Sequence, residues 1–337
     1  MNRRLLKMLI VLLLTLPHTA HAIKLKLATI APEGSPWMAV MRTGADEIRQ
    51  RTAGRVELKF YGGGVMGNEK SVFRKMRAGQ LHGGAFSSTA LTEVYPDLKL
   101  RALPMVLRDY SDYDAMAVAL DGQFRQGLED AGFVNFGFAE AGISLPMGTV
   151  PVRSLEDLDG QKMWVPEGDT VSYAIMQALG LAPIPLPLTD VMTGLQTGLI
   201  NVIGGSASGA IAFQWYTEVH YISQVPLAFL FSSLVIDRQT FQSLQPSDRQ
   251  VVREVMEKTY QDFNHDARQD NQAAFEALTR QGLEVVEPPA TEIERWRQRA
   301  WSVIGQMAER GDFSLEMYQQ LMQILEQCGG AKARTGT

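Results

Sequence analysis

Two segments of the chain share one pattern: MRAGQL at residues 76–81 and LQTGLI at residues 195–200. Each follows residues with helical spacing and places a glycine before a strand-forming run, which is typical of a helix that ends at glycine and leads into a strand. Counted forward in register, Ser87 falls opposite Ser206. The two segments predict either two lobes related by internal repetition or two independent uses of a common α/β pattern.

Strands and helices alternate outward from these segments. The predicted strands span residues 24–30, 56–61, 81–86, 161–165, 182–187 and 199–203. Ser35 is the expected N-cap of the first helix, and Pro36 is its expected first residue. This alternation favours an α/β fold with a mainly parallel sheet in two lobes. Ligands of open α/β sheets bind outside the carboxyl ends of the strands, where Ser87 and Ser206 are expected.

Apolar residues at helical spacing from Pro246 to Gly282 predict one long helix, with Ser247 and Gln250 as a capping box. About 35 residues give a length of roughly 50 Å, so we expect this helix to span both lobes. The predicted organisation is a signal peptide over 1–22, lobe I over 23–145, lobe II over 146–235, the long helix with a return to lobe I and the C-terminal helices over 236–327, and a disordered tail over 328–337.

The first 22 residues predict a secretory signal peptide. Arg3, Arg4 and Lys7 precede an apolar run over residues 8–16, and Ala-His-Ala then supplies a cleavage site after Ala22. The run is about nine residues long, whereas a helix that spans a bilayer needs about 20. We therefore expect a periplasmic protein with a cleaved signal peptide, the alternative being an uncleaved anchor.

Composition narrows the class of protein. The formal net charge of −5 argues against nucleic acid and anionic lipid as partners. The single cysteine, Cys328, excludes an internal disulfide. The sequence contains no nucleophile elbow, phosphate-binding loop or histidine cluster at metal-ligand spacing. We therefore expect no enzyme activity, no cofactor and no metal.

Several short motifs follow one another along the chain: LAT at 27–29, GSPW at 34–37, GNE at 67–69, LPMVL at 103–107, LEDLDGQKMWVP at 155–166 and LQTG at 195–198. In this order and spacing the chain resembles the extracytoplasmic solute-binding subunits of TRAP transporters, the DctP-like family. The resemblance covers nearly all of the chain after the signal peptide.

The resemblance implies a two-lobed fold like that of periplasmic binding proteins, with crossing strands and a long helix braced against both lobes. It also implies that lobe closure captures a small organic solute and that the closed protein, expected to be a monomer, docks on membrane permease subunits. A ligand-sensing subunit for a membrane signalling protein is the alternative, and a periplasmic enzyme on the same fold is favoured less.

One position departs from the family pattern. Many members carry an arginine just before the Val-Pro pair of the second-lobe strand, where it binds an organic acid; this chain has Trp164 there. A planar guanidinium matches a carboxylate, and an indole does not. We therefore expect a ligand that is less acidic or more apolar than is usual for the family. Arg101, Arg153 and Lys162 stay open as substitutes for the arginine.

The candidate ligand-binding residues are Trp164, Phe86, Ser87, Ser88, Glu140, Ser206, Ser208, Trp215 and Trp37. Trp164 is predicted to be a ligand platform, with core packing as the alternative. The serines either donate to a ligand or cap the helices that follow them. Glu140, expected at the end of a strand over residues 133–139, is either a counter-ion in a cation–π site with Trp164 or a solvated charge.

Overall fold

The computed structural model describes residues 22–335, so the predicted signal peptide lies outside the described residues except for Ala22. The strands are β1 (Ile23–Thr29), β2 (Val56–Tyr61), β3 (Gly83–Ser87), β4 (Phe133–Asn135), β5 (Ala139–Gly148), β6 (Trp164–Pro166), β7 (Ile184–Leu186), β8 (Val202–Gly205), β9 (Tyr221–Ser223), β10 (Ala228–Asp237) and β11 (Glu284–Val286). The helices are α1 (Pro36–Arg51), α2 (Glu69–Arg77), α3 (Ser88–Thr92), α4 (Tyr110–Asp130), α5 (Thr170–Ala178), α6 (Val191–Gln196), α7 (Ala207–Ala212), α8 (Arg238–Gln242), α9 (Pro246–Arg280), α10 (Ala290–Arg310) and α11 (Leu315–Thr335).

The first βαβ unit forms where the sequence predicts it. The Ser35 side chain accepts a hydrogen bond from the Met38 backbone N–H at 3.4 Å, and Pro36 is the first residue of α1. Met41 and Ile48 lie on the same helix face and are buried in the cluster that covers β1 and β2. The predicted cap and helical spacing are therefore confirmed.

The sheet is mixed, and the prediction of a mainly parallel sheet is wrong. In lobe I, β1 pairs in parallel with β2 and β3, but β10 runs antiparallel to β3 and β4. In lobe II, β5 runs antiparallel to β8 and β9. The cause is the connection between the lobes, because the chain leaves lobe I along β5 and returns along β10, and these two strands pair antiparallel with each other.

Both crossing strands belong to two lobes at once. The first half of β5 pairs with β10, and residues 145–148 of the same strand pair with β8. A parallel bridge between Met163 and Val202 then connects β6 and β7 to β8. These pairings place the hinge between the lobes in continuous β-structure, as the resemblance implied.

The long helix α9 braces both lobes. It packs against α1 in lobe I and against α7 in lobe II, and its 35 residues correspond to roughly 50 Å. Its N-cap is Gln245, with Pro246 as the first residue, so the predicted capping box of Ser247 and Gln250 does not form. The N-cap lies two residues before Ser247, because proline is favoured at the first helical position and Pro246 occupies it.

The last part of the chain differs from the prediction in two respects. After α9, β11 pairs with β9 and so extends the sheet of lobe II before α10 begins. Helix α11 continues to Thr335, over most of the region predicted as a disordered tail from residue 328. Residues 331–334 are Ala, Lys, Ala and Arg, which have high intrinsic helix propensity. No helix within residues 22–335 has the length and apolarity needed to cross a membrane.

Candidate ligand-binding cleft

A cavity of about 470 Å³ lies between the lobes, within the range typical of small-molecule sites. The crossing strands β5 and β10 contribute to its wall, and β3 and β8 end at it from opposite lobes. The nine residues predicted from the sequence all line this cavity: Trp37, Phe86, Ser87, Ser88, Glu140, Trp164, Ser206, Ser208 and Trp215.

The serines at the strand ends have mainly structural partners. The Ser87 side chain caps α3 by accepting from the Ala90 backbone N–H, and the Ser206 side chain caps α7 by accepting from the Gly209 backbone N–H. The predicted equivalence of Ser87 and Ser206 therefore appears as the same cap after β3 and after β8. Ser88 differs, because it lines the cavity and its hydroxyl has no hydrogen-bond partner among the described residues.

Trp164 belongs to the apolar core of lobe II as well as to the cavity wall. The side chain is 4% exposed, and the indole N–H donates to the Leu186 carbonyl at 3.0 Å. Its ring meets the ring of Trp215 edge to face, with centroids 5.8 Å apart. Trp164 is therefore packed in the core and also lines the cavity, and its role as a ligand platform stays a prediction.

Phe86 and Trp37 line the lobe I side of the cavity. Phe86 stacks on Phe73 with ring centroids 4.0 Å apart, so its ring is held rigidly. Trp37 meets Phe60 edge to face, and its indole N–H is buried without a hydrogen-bond partner. A buried donor without a partner is uncommon.

Glu140 lies at the start of β5, not at the end of the strand over residues 133–139 that the sequence predicted. Gly137, with φ of +145°, ends that run after β4 and redirects the chain. The Glu140 carboxylate accepts from the Arg268 Nε and Nη2 at 2.8 and 2.9 Å. Arg268 therefore already supplies a counter-charge to Glu140, and the cation–π site predicted for a ligand with Trp164 stays a prediction.

The missing arginine is not replaced in the cleft. Arg101 is buried against Asp121 and Tyr113, Lys162 donates to the Gly198 carbonyl, and neither of them nor Arg153 lines the cavity. Among the described residues, no arginine lines the cavity at all. The bidentate recognition of a carboxylate that arginine provides is therefore absent from this wall.

The charged residues of the cavity wall are predominantly acidic. The wall includes two lysines and six carboxylates: Lys70, Lys99, Glu69, Glu93, Glu140, Glu167, Asp169 and Asp270. Lys99 donates to the Asp312 carbonyl at 3.1 Å, and Lys70 pairs with Glu167 at 3.0 Å. Lys70 is thereby paired with a carboxylate, whereas Lys99 keeps its charge because its partner is a neutral carbonyl. Glu140 is paired with Arg268, and Glu93 and Asp270 still leave carboxylates in excess over cations at the wall, which disfavours anions.

The lobes touch across the mouth of the cleft. The pair of Lys70 and Glu167 joins α2 of lobe I to the residue after β6 of lobe II. Nearby, a Cβ atom built on Gly64 would lie 3.5 Å from the Thr189 Cγ2. The two lobes are therefore close to each other at the mouth of the cleft.

Burial raises the pKa of two carboxyl groups of the wall, Glu69 and Asp169. Glu69 is half-buried, and desolvation raises its pKa above the ordinary value of 4.5, although hydrogen bonds from the Ser87 N–H and hydroxyl oppose the shift. The folded state therefore binds a proton that the unfolded state has lost. The contribution of Glu69 to the free energy of unfolding therefore falls as pH rises from about 4.5 to the pKa that Glu69 has in the folded state.

We expect Glu69→Gln to flatten the dependence of stability on pH. The melting temperature of the variant, measured from pH 4.5 to pH 7, should fall less than that of the wild type, because an uncharged amide replaces the group that burial disfavours when ionised. Glu57→Gln, at an exposed carboxylate that pairs with Lys24, is the control and should keep the wild-type slope. Parallel curves for wild type and Glu69→Gln would contradict the assignment.

Three positions that hold residues of the cleft wall in place were missed by sequence reasoning. Helix α9 presents Asn264, Arg268 and Asn271 along one face, and all three bond to the hinge or to lobe II. Asn264 accepts from the Glu140 N–H, and Asn271 accepts from the Ser208 hydroxyl. The signal was available, because polar residues at spacings of four and three lie on one face of a helix.

The arrangement defines a class of protein: a two-lobed receptor with a ligand cleft at the strand ends. The family model described as bacterial extracellular solute-binding protein, family 7 (DctP), matches residues 27–310, so the chain belongs to this family, the binding subunits of TRAP transporters. Among the described residues, no group of three or more His, Cys, Asp or Glu side chains is placed to hold a metal ion.

Curated relatives and solved structures agree with this family. The C4-dicarboxylate-binding periplasmic protein DctP of Rhodobacter capsulatus is 22% identical over 305 residues, covering 89% of this chain and 90% of its own length. The 2,3-diketo-L-gulonate-binding periplasmic protein YiaO of Escherichia coli is 22% identical over 255 residues, covering 74% and 75%. The crystal structure of a TRAP periplasmic solute binding protein from Xanthobacter autotrophicus with bound β-D-galacturonate superposes with a TM-score of 0.81 at 22% identity, covering 89% of this chain and 98% of that one.

Proposed function

We propose that this protein is the periplasmic receptor of a TRAP-type transporter. It captures a small organic solute when the lobes close and delivers it to the membrane permease subunits, and it carries out no reaction of its own. Export by the signal peptide, with cleavage after Ala22, brings it to the compartment in which the family acts. The family match and the cleft between two lobes support this proposal.

We further propose that the solute is uncharged or cationic. The related proteins described above are named for, or hold, acids: a C4-dicarboxylate, 2,3-diketo-L-gulonate and galacturonate. The observation that carries the proposal is the charge of the wall, with six carboxylates, two lysines of which Lys70 is paired with Glu167, and no arginine. A dianion placed there would lose its hydration without gaining a matched cation.

A thermal-shift screen of the exported protein tests both parts. We expect sugars, polyols, aromatic compounds or amines to raise the melting temperature, while galacturonate and succinate have little effect, because binding to the native state stabilises it. If acids give the largest shift, the charge proposal is wrong and the receptor function stands. If the protein, purified without refolding, binds no solute in the screen and releases none to mass spectrometry, the receptor function itself fails.

A further inference from the structure

The cavity does not end at the strand ends between the lobes. The same cavity continues to α5 of lobe II and to α10, which pack against each other. We call this part the rear chamber; it is lined by Leu155, Leu158, Val171, Ile175, Trp296 and Ala300. These positions lie on elements that the strand-end site does not use, so the cavity joins two chemically different regions.

The six side chains that define the rear chamber are apolar, and two polar groups that border it already have partners. The Trp296 indole N–H donates to Glu292 at 3.0 Å, and the Asp169 side chain caps α5 by accepting from the Ser172 N–H. Half-buried Met176 and Leu181 extend the apolar lining. A hydroxyl or charged group that entered the chamber would lose hydrogen bonds to water without replacement, so an occupant must be apolar.

The front of the cavity has the opposite character. The hydroxyl of Ser88 is free to bond, and the carboxylate of Asp270 is exposed on α9 and lines the cleft. Lys70 is already paired with Glu167 there. The polar end of a ligand therefore fits between the strand ends, and an apolar end fits in the rear chamber.

We propose that the solute is an amphiphile, with an uncharged or cationic polar head between the strand ends and an apolar chain or ring in the rear chamber. This inference rests on the proposed receptor function and specifies its substrate class. Native interiors contain few voids larger than a water molecule, so a chamber lined by apolar side chains and joined to a ligand cleft has a ligand as its expected content.

The test uses N-phenyl-1-naphthylamine, an uncharged probe whose fluorescence rises in apolar surroundings, displaced by 1-alkanols from butanol to decanol. Each added methylene should strengthen binding about fourfold until the chamber is full, which is the value of burying one CH₂ group. Wild-type protein that fails to bind the probe, or an alkanol series with no dependence on length, overturns the inference. The receptor function survives that outcome if a short polar solute still raises the melting temperature.

A variant tests whether the apolar chain of the ligand lies in the rear chamber. Met176→Trp places a large ring in the rear chamber. It should weaken the binding of decanol at least tenfold and leave the binding of butanol nearly unchanged. Met192→Trp is the matched control, since Met192 is a half-buried methionine of α6 outside the cavity, and it should behave like the wild type. Leu181→Trp, at another residue of the rear chamber, is the substitute variant if Met176→Trp does not fold. If a folded variant of the rear chamber still binds longer alkanols more tightly, the placement of the apolar chain in the rear chamber is wrong.

Discussion

Replacing Arg101 by methionine is expected to lower the free energy of unfolding by about 3–5 kcal/mol. The guanidinium is 2% exposed and lies 4.5–4.9 Å from the ring centroids of Tyr113, Phe138 and Phe231. It also binds both oxygens of Asp121, at 2.9 and 3.0 Å. Methionine fills much of the volume but leaves the Asp121 carboxylate and the Tyr113 hydroxyl without their partner. Chemical unfolding followed by circular dichroism measures the change.

The control for this prediction is Arg295→Met, the same substitution at an exposed ion pair with Glu156. Solvent screens that pair, so its unfolding midpoint should match the wild type. Equal midpoints for Arg101→Met and Arg295→Met would show that the buried pair adds nothing to stability. Because Arg101 lies outside the cavity wall, the affinity of the folded variant for solute should be unchanged.

Replacing Trp164 by alanine is expected to lower the free energy of unfolding by about 3–5 kcal/mol, the usual cost of deleting a buried tryptophan ring. The loss comes from the edge-to-face contact with Trp215, from the hydrogen bond to the Leu186 carbonyl, and from the cavity that remains. Trp301→Ala, at a tryptophan that is 38% exposed, should cost clearly less. Urea unfolding of the two variants in parallel measures the difference.

The same variant tests whether Trp164 also touches the solute. A ring that is desolvated against the ligand should contribute about 1–3 kcal/mol to binding. The measurement is the dissociation constant of the solute identified by the thermal-shift screen, at a temperature where Trp164→Ala is folded. A dissociation constant that equals that of the wild type would assign Trp164 to the core alone.

Local sequence signals predicted much of the fold. Ser35 and Pro36 began α1 as expected, and the stripe of apolar residues predicted α9 to within two residues of its end. These features depend on contacts between residues close in sequence, which a pattern records directly. The direction of β10 does not depend on such local contacts. It follows from the path of the chain between the two lobes, and residue spacing does not predict that path.

The sequence predicted where the candidate residues lie, but not which hydrogen-bond and ion-pair partners they have. Strand ends and a family motif placed Trp164, Ser87 and Ser206 at the cavity. The bonds that occupy Glu140 join it to Arg268, which is 128 residues away in sequence, and no local pattern announces such a pair. Whether a polar side chain is free for a ligand is therefore decided by tertiary contacts that only the folded chain reveals.

The approach of Gly64 to Thr189 across the cleft mouth has a use in measurement. Val65, beside Gly64, is 71% exposed, and Thr189 is also exposed. Cys328 is the only native thiol, so changing it to serine leaves engineered cysteines at Val65 and Thr189 as the sole sites for thiol-reactive dyes. The proposed closure alters the distance between these two positions. A donor and an acceptor dye attached there would therefore report solute binding as a change in energy transfer.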